Sequence, residues 1–279
     1  MPTNILLLLV FETTFLIVFI IIALVKTKNL SELLKEVTNV PKDGIKGVEH
    51  QKERDGYLAM VVHELRSPLA IIKGSSDLML KDAQSLSTRQ IQMLLHQIRS
   101  SSTEMLKMVN NILDVSKMES GAFEIEKVPG DFNKFLRDEC DYFSSSAIQK
   151  KIGLKVLLQE NLPLINFDSV RIREVFNNLL SNAFKFTPEG GTVTVTANKV
   201  DNNVQVCVSD TGIGISDEIK PRLFHKFVQA SNHRFVKEYG TGLGLVIAKG
   251  IVEAHGGKIW IEDNKPKGTK FIFTIPATP

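Results

Sequence analysis

The sequence predicts an α+β multidomain chain: an N-terminal transmembrane helix, an antiparallel helical hairpin, then a mostly antiparallel sheet with helices on one face. Three observations predict it. Residues 5–25 are almost wholly apolar over a length that suits a bilayer. From Leu58 to Ile112 apolar residues recur at heptad spacing, the pattern of helices made for other helices. In Thr192–Ala197 and Val204–Val208 apolar and polar residues alternate strictly, as in strands with one covered face.

A chain of 279 residues suggests two domains and can bury a sizeable core. Its net charge of +3 is too small to point to nucleic acid, and none is expected as a partner. Cys140 and Cys207 are isolated, which argues against a disulfide framework or a zinc site.

The apolar run, 5–25, has no Lys or Arg before Lys26 and no small-x-small exit, which weakens a cleaved signal peptide as its explanation. Glu12 lies close enough to its start to reach the interface. Lys26, Lys28 and Lys35 follow the run, so a single pass through the cell membrane with the remainder cytoplasmic is expected. Residues 26–56, with mixed charges and a Pro41/Gly44–Gly47 break, read as a juxtamembrane linker.

The hairpin occupies 57–121. Its first helix, expected from about Glu53 to Leu80, carries Leu58, Val62, Leu65, Leu69, Ile72 and Met79 as a seam, with Ser76 interrupting it and Pro68 bending it. His63 follows a seam residue and so points toward water, with Glu64 beside it and Ser67 one turn further on. A neutral imidazole is nucleophilic when its other ring nitrogen is held, and Glu64 can hold and accept that proton. Taken alone, the pair is better explained as an ordinary solvated surface histidine beside a glutamate. Ser87 and Gln90 form a capping box that starts a second helix ending near Gly121. Two such helices cannot bury their apolar faces alone; pairing two hairpins gives a dimeric four-helix bundle, hence a homodimer.

In 122–279 the period changes. Phe123–Glu126 alternates like a short strand, Asp131 caps a helix to about Lys151, and 153–158 and 164–167 read as strands. Asp168 caps a long helix to about Phe186, and a second strand pair, 259–261 and 271–275, closes the chain. On the Asp168 helix Asn178, Asn182 and Lys185 share a face; amide oxygens suit Mg²⁺ and the ammonium suits phosphate. Asp210-Thr211-Gly212-Ile213-Gly214-Ile215 follows a strand, where a carboxylate can accept the exocyclic amine of adenine and glycines let backbone approach a ligand. Gly240-Thr241-Gly242-Leu243-Gly244-Leu245 opens a helix, offering N–H groups to phosphates without the parallel strand–turn–helix unit of a dinucleotide fold. Between them Phe224 and Phe227 bracket an expected helix, and the polar stretch containing Lys226, His233, Arg234 and Lys237 suits a lid.

These motifs together resemble the sensor histidine kinases of two-component systems. The His63 stretch is similar to their H box, and Asp114–Gly121 to the end of their second dimerisation helix. Asn178–Thr187 resembles the N box, Asp210–Ile215 and Gly240–Leu245 the two glycine boxes, and Leu223–Phe227 the F box. The resemblance implies a phosphotransfer hairpin followed by an α/β sandwich, Bergerat-type ATP-binding domain, with ATP and Mg²⁺ as cofactors and a response-regulator receiver domain as partner. It implies His63 as phosphoacceptor, Glu64 as the acid that orients it, and Asn182 as the Mg²⁺ ligand. Asn178, Lys185, Phe186, Asp210, Gly212, Gly214, Gly240, Thr241, Gly242, Leu243 and Gly244 would bind ATP. Phe186 stands where the family often has Tyr. Ser67 stands where Thr or Asn is frequent in members that also dephosphorylate their partner, and is the phosphatase candidate. Related water-hydrolysing ATPases carry Glu at the position of Asn178.

Overall fold

The computed structural model describes residues 46–82, 85–226, 228 and 242–277; the side chains of 46–60 and of His63 lie outside that description. The expected transmembrane run, 5–25, is outside it too, and among the described residues no helix is long and apolar enough to cross a membrane. The chain forms two compact units, Met1–Ala59 and Met60–Pro279, and the second contains all the described residues except 46–59.

Helix α1 runs Lys46–Lys81, starting seven residues before the expected Glu53 and continuing through Pro68. Helix α2, Thr88–Glu119, begins at the anticipated capping box: Gln90 N–H donates to Ser87 Oγ at 3.4 Å and Ser87 N–H to Gln90 Oε1 at 2.9 Å. The seam differs from the expected one. Leu65, Ile72 and Met79 are half-buried and Pro68 is buried, whereas Val62 and Leu69 are 55% and 54% exposed. The buried serine is Ser75, which donates to Gln97 Oε1 at 3.1 Å; a polar side chain enters this seam because α2 supplies its acceptor.

The strand expected at Phe123–Glu126 is absent, because Phe123 packs on the core and lies under the Arg171 guanidinium, 4.8 Å from its ring centre. Strand β1 is instead Val128–Gly130, paired antiparallel with β3, Ile165–Phe167. Helix α3, Phe132–Gln149, starts at Asp131, whose carboxylate accepts the Lys134 N–H at 2.9 Å. Helix α4, Ser169–Phe186, starts at Asp168, whose Oδ1 accepts from Val170 and Arg171.

The main sheet has the order β2 (Gly153–Leu158), β4 (Thr192–Val200), β5 (Asn203–Asp210), β7 (Thr269–Pro276), β6 (Ile259–Asp263). Only β2–β4 is parallel. Val193, Val195, Ala197, Val204, Val206, Val208 and Phe273 are fully buried on one face, and α3, α4 and α5 (Gly244–Ala254) contact the sheet. Helix α4 contributes Ile172, Val175, Phe176, Leu179 and Leu180, all fully buried at three- and four-residue spacing. This sheet with helices on one face is the α+β half the sequence predicts.

The α+β half docks on the foot of α2. Arg171 grips both oxygens of Asp114, at 2.8 and 3.3 Å, and reaches Glu174 at 3.3 Å. Burial and the nearby Asp114 charge raise the Glu174 pKa, against the pull of Arg171. Gly250 of α5 lies against Met118, and a Cβ there would come within 2.3 Å of its sulfur. Lys226 pairs with Glu119.

Phe176→Ala is expected to lower unfolding free energy in urea by roughly 3–5 kcal/mol, because the side chain is fully enclosed; a loss under about 1 kcal/mol would contradict the enclosure. In a double-mutant cycle, Arg171→Ala and Asp114→Ala should couple by about 1–3 kcal/mol, and strict additivity would show that the ion pair does not tie the two halves together.

Candidate functional site

Asp210 ends β5 and is only 3% exposed. The N–H groups of Gly212 and Thr269 both donate to its Oδ1, at 2.8 and 3.3 Å, while Asn264 Nδ2 donates to its carbonyl at 2.7 Å. Among the described residues no donor meets Oδ2, which is therefore the oxygen available to an incoming N–H. Burial raises the carboxyl pKa and the two backbone donors oppose that rise. The backbone closes tightly around this group. A Cβ on Gly212 would lie 2.4 Å from the Phe186 carbonyl oxygen and 2.8 Å from Asp210 Oδ1. Gly268 has φ +124°, and a Cβ there would lie 1.9 Å from the Asp210 carbonyl. Gly268 was legible only as part of a turn, since its partner is 58 positions away in sequence.

The loop after Asp210 abuts the end of α4, where Ile213 N–H donates to the Phe186 carbonyl at 3.3 Å. About two turns upstream on α4, Asn178 Nδ2 donates to the Gly244 carbonyl at 3.1 Å, and a Cβ on Gly244 would press on the Asn178 amide. Asn182 is half-buried one turn further along, and the Lys185 ammonium lies 5.6 Å from the centre of the Phe186 ring. Gly242 adopts φ +68°, and Leu243, 1% exposed, anchors the turn that starts α5. Gly214 has φ +77°. Helix α4 is thus the shared wall between the carboxylate and the glycine turn.

Gly240, Thr241, Phe227 and the lid residues His233, Arg234 and Lys237 lie outside the described residues. The helix expected between the two phenylalanines is absent from the part described: a 3₁₀ turn, Lys220–Arg222, precedes Phe224, and i to i−3 bonds such as His225 N–H to Arg222 O at 2.8 Å continue as turn. His63, Glu64 and Ser67 stand on α1, with Glu64 half-buried and Ser67 exposed. Sequence reasoning missed the Asp114–Arg171 pair, for which a charge near an otherwise apolar seam was the available signal.

Among the described residues no cluster of His, Cys, Asp and Glu could hold a metal ion. Asn182, half-buried one turn along α4 from the Asn178 that touches the α5 start, carries an amide oxygen of the kind that suits Mg²⁺, which takes oxygen ligands and keeps much of its shell from water and phosphate.

Two family descriptions match the chain: a His Kinase A (phospho-acceptor) domain over 53–121, and a Histidine kinase-, DNA gyrase B-, and HSP90-like ATPase over 167–279. Hybrid signal transduction histidine kinase D of Dictyostelium discoideum is 34% identical over 229 residues, covering 80% of this chain and 15% of that protein. The full-length ShkA structure in complex with AMPPNP matches with TM-score 0.60 and 31% identity over 79% of this chain and 45% of that one. The catalytic domain of the histidine kinase ThkA matches at 33% identity and TM-score 0.50, covering 56% of this chain and 98% of that one. ThkA in complex with the response regulator protein TrrA matches with TM-score 0.60 and 27% identity over 85% of this chain and 69% of that one. The chain spans 15%, 42% and 16% of the length of three curated relatives it matches. With a phospho-acceptor hairpin and this ATPase fold in succession, the chain belongs to the sensor histidine kinase family of two-component systems.

Proposed function

We propose that this chain is a protein-histidine kinase that uses Mg-ATP to phosphorylate His63 and then passes the phosphoryl group to an aspartate of a response-regulator receiver domain. The observation that carries this reading is α4, which joins the buried Asp210 loop at one end to the glycine turn of α5 through Asn178. The AMPPNP bound by ShkA and the regulator bound by ThkA support it by likeness.

In this reading Asp210 Oδ2 accepts the exocyclic amine of adenine, which guanine lacks at that position. The N–H groups of Gly242 to Gly244, with any from Gly240 and Thr241, meet phosphate oxygens at the positive end of α5, and Lys185 adds a charge. Asn182 would hold Mg²⁺, which supplies charge neutralisation at the phosphates. Glu64 holds one ring N–H of His63 so that the other nitrogen keeps its lone pair. As that nitrogen forms its bond to the γ-phosphorus, the bond to the bridging oxygen breaks, ADP departs with the electron pair, and the ring proton passes to Glu64. The protein's contribution is position and electrostatics. Asn178, bonded to the Gly244 carbonyl, brings no carboxylate to activate water there, which favours transfer to the imidazole over hydrolysis. Ser67, exposed one turn from His63, is the phosphatase candidate.

Val62, Leu69, Ile71, Leu78, Leu80 and Met93 are exposed apolar residues on the hairpin, and the hairpin of a second copy would cover them, giving the homodimer. The run 5–25 would anchor that dimer to the cell membrane with the kinase part cytoplasmic.

His63→Gln is expected to keep AMPPNP affinity while abolishing acid-labile phosphoprotein formed from γ-labelled ATP; persistent labelling refutes the assignment. Asp210→Asn is expected to weaken ATP binding about 100-fold and to erase much of its preference over GTP. An unchanged ATP:GTP ratio in competition titrations would remove Asp210 from adenine recognition.

A further inference from the structure

We propose that His255 is a positioning residue for the nucleotide site: its neutral ring fixes the far end of α5 on the start of α4 and thereby sets where the glycine turn meets Asn178. This role rests on the reading of the site as one for a nucleotide. His255 follows the last turn of α5 and is 2% exposed. The Asp168 backbone N–H donates to its Nε2 at 3.0 Å, so that nitrogen carries the lone pair. The ring proton therefore sits on Nδ1, 2.8 Å from the Ile251 carbonyl that accepts it. Both ring nitrogens are satisfied only in this neutral tautomer.

The tie has a counterpart. Asn178 Nδ2 bonds the Gly244 carbonyl, while Asp168 N–H bonds His255. These contacts pair the start of each helix's shared stretch with the end of the other's, so α4 and α5 run antiparallel. The intervals from 168 to 178 and from 244 to 255 are about 15 and 16.5 Å by helical rise. Two ties at matched heights fix sliding as well as separation; one alone leaves a pivot at Asn178. Asp168 is itself held, since its carboxylate accepts from Val170, Arg171 and Glu126. The contact therefore joins α5 to a rigid N-cap.

Protonation at Nε2 would set two donors face to face. Burial disfavours the cation, the Ile251 carbonyl favours the protonated ring, and of the charged groups facing it Lys127, whose Nζ donates to the His255 carbonyl at 3.2 Å, disfavours the cation while the Asp168 carboxylate favours it. The balance lowers the pKa below the ordinary 6.5. The unfolded chain then takes up the proton first, so the tie's contribution is complete above that value and declines as pH falls below it.

The test is Mg-AMPPNP affinity of the full chain by calorimetry from about pH 5 to about pH 8, at a temperature where circular dichroism shows every variant folded. His255→Gln keeps an amide oxygen for the Asp168 N–H without a titrating ring. It is expected within about two-fold of wild type at the alkaline end, with a shallower acid limb. His255→Leu, which removes the acceptor, is expected to bind about ten-fold more weakly throughout. The ¹⁵N spectrum of the wild type should show one histidine as the Nδ1–H tautomer, a readout that stands if the Leu variant does not fold. An acid limb in His255→Gln identical to that of wild type, or absence of that tautomer, would overturn the proposal. Absence of binding by the wild type at every pH would overturn the nucleotide reading as well.

Discussion

Two backbone N–H groups converge on one oxygen of a carboxylate that has almost no access to water, and the architecture of the α+β half is what makes this tolerable. A buried carboxylate is costly unless hydrogen-bonded. Gly212 and Thr269 provide those bonds from two different segments, and both segments come close only because Gly212 and Gly268 lack a Cβ. The sheet places Asp210 at the end of a central strand, with β7 beside it supplying Thr269. Phe186, at the end of α4, closes the other side through its carbonyl. The remaining oxygen, Oδ2, is thereby held in one place and aimed by backbone rather than by mobile side chains.

The same helix that abuts the Asp210 loop also ties the site to the rest of the molecule. Its first turn carries Arg171, gripping Asp114 on α2; its middle carries Asn178, bonded to Gly244; its end carries Phe186. The hairpin register is set by Ser75 and Gln97, and continuing it twelve residues down α1 puts His63 level with Val109. Asp114, Met118 and Glu119 lie five to ten residues further, about 7–15 Å by helical rise. The clamp therefore grips the hairpin below the level of His63.

Local signals carried much of this. Ser87, Asp131 and Asp168 each start the helix they were read to start, because an N-cap is chemistry between residues two or three apart. The strands around Asp201 and Asn202 follow from strict alternation over a covered sheet. The failures share a cause. Phe123–Glu126 alternates like a strand, yet Phe123 is claimed by the core and by a guanidinium 48 positions away. Heptad spacing put Ser76 on the seam, yet Pro68 and Ser75 are the buried positions, and Ser75 finds its partner in Gln97 on the opposing helix. Gly268 and His255 look like an ordinary turn glycine and a helix-end histidine until the fold brings Asp210 and Asp168 against them. Asn178, Asn182, Asp210 and the described glycines stand out in the sequence because their types and spacing suit phosphate, metal and base, and the structure brings Asn178 to Gly244 and Gly212 to Asp210. The contacts that hold them in place are long-range and leave no periodic trace.

If the carboxylate, the asparagine face and the glycine turn make one nucleotide site, a single ligand must be felt by all three. An NMR titration of the folded chain with Mg-AMPPNP tests this directly through the backbone amides of Gly212, Asn182, Gly242 and Gly244. All four are expected to shift along a single saturation curve, and AMP should move Gly212 while leaving Gly244 nearly still. Separate midpoints for Gly212 and Gly244, or a glycine turn that does not respond, would contradict the single site.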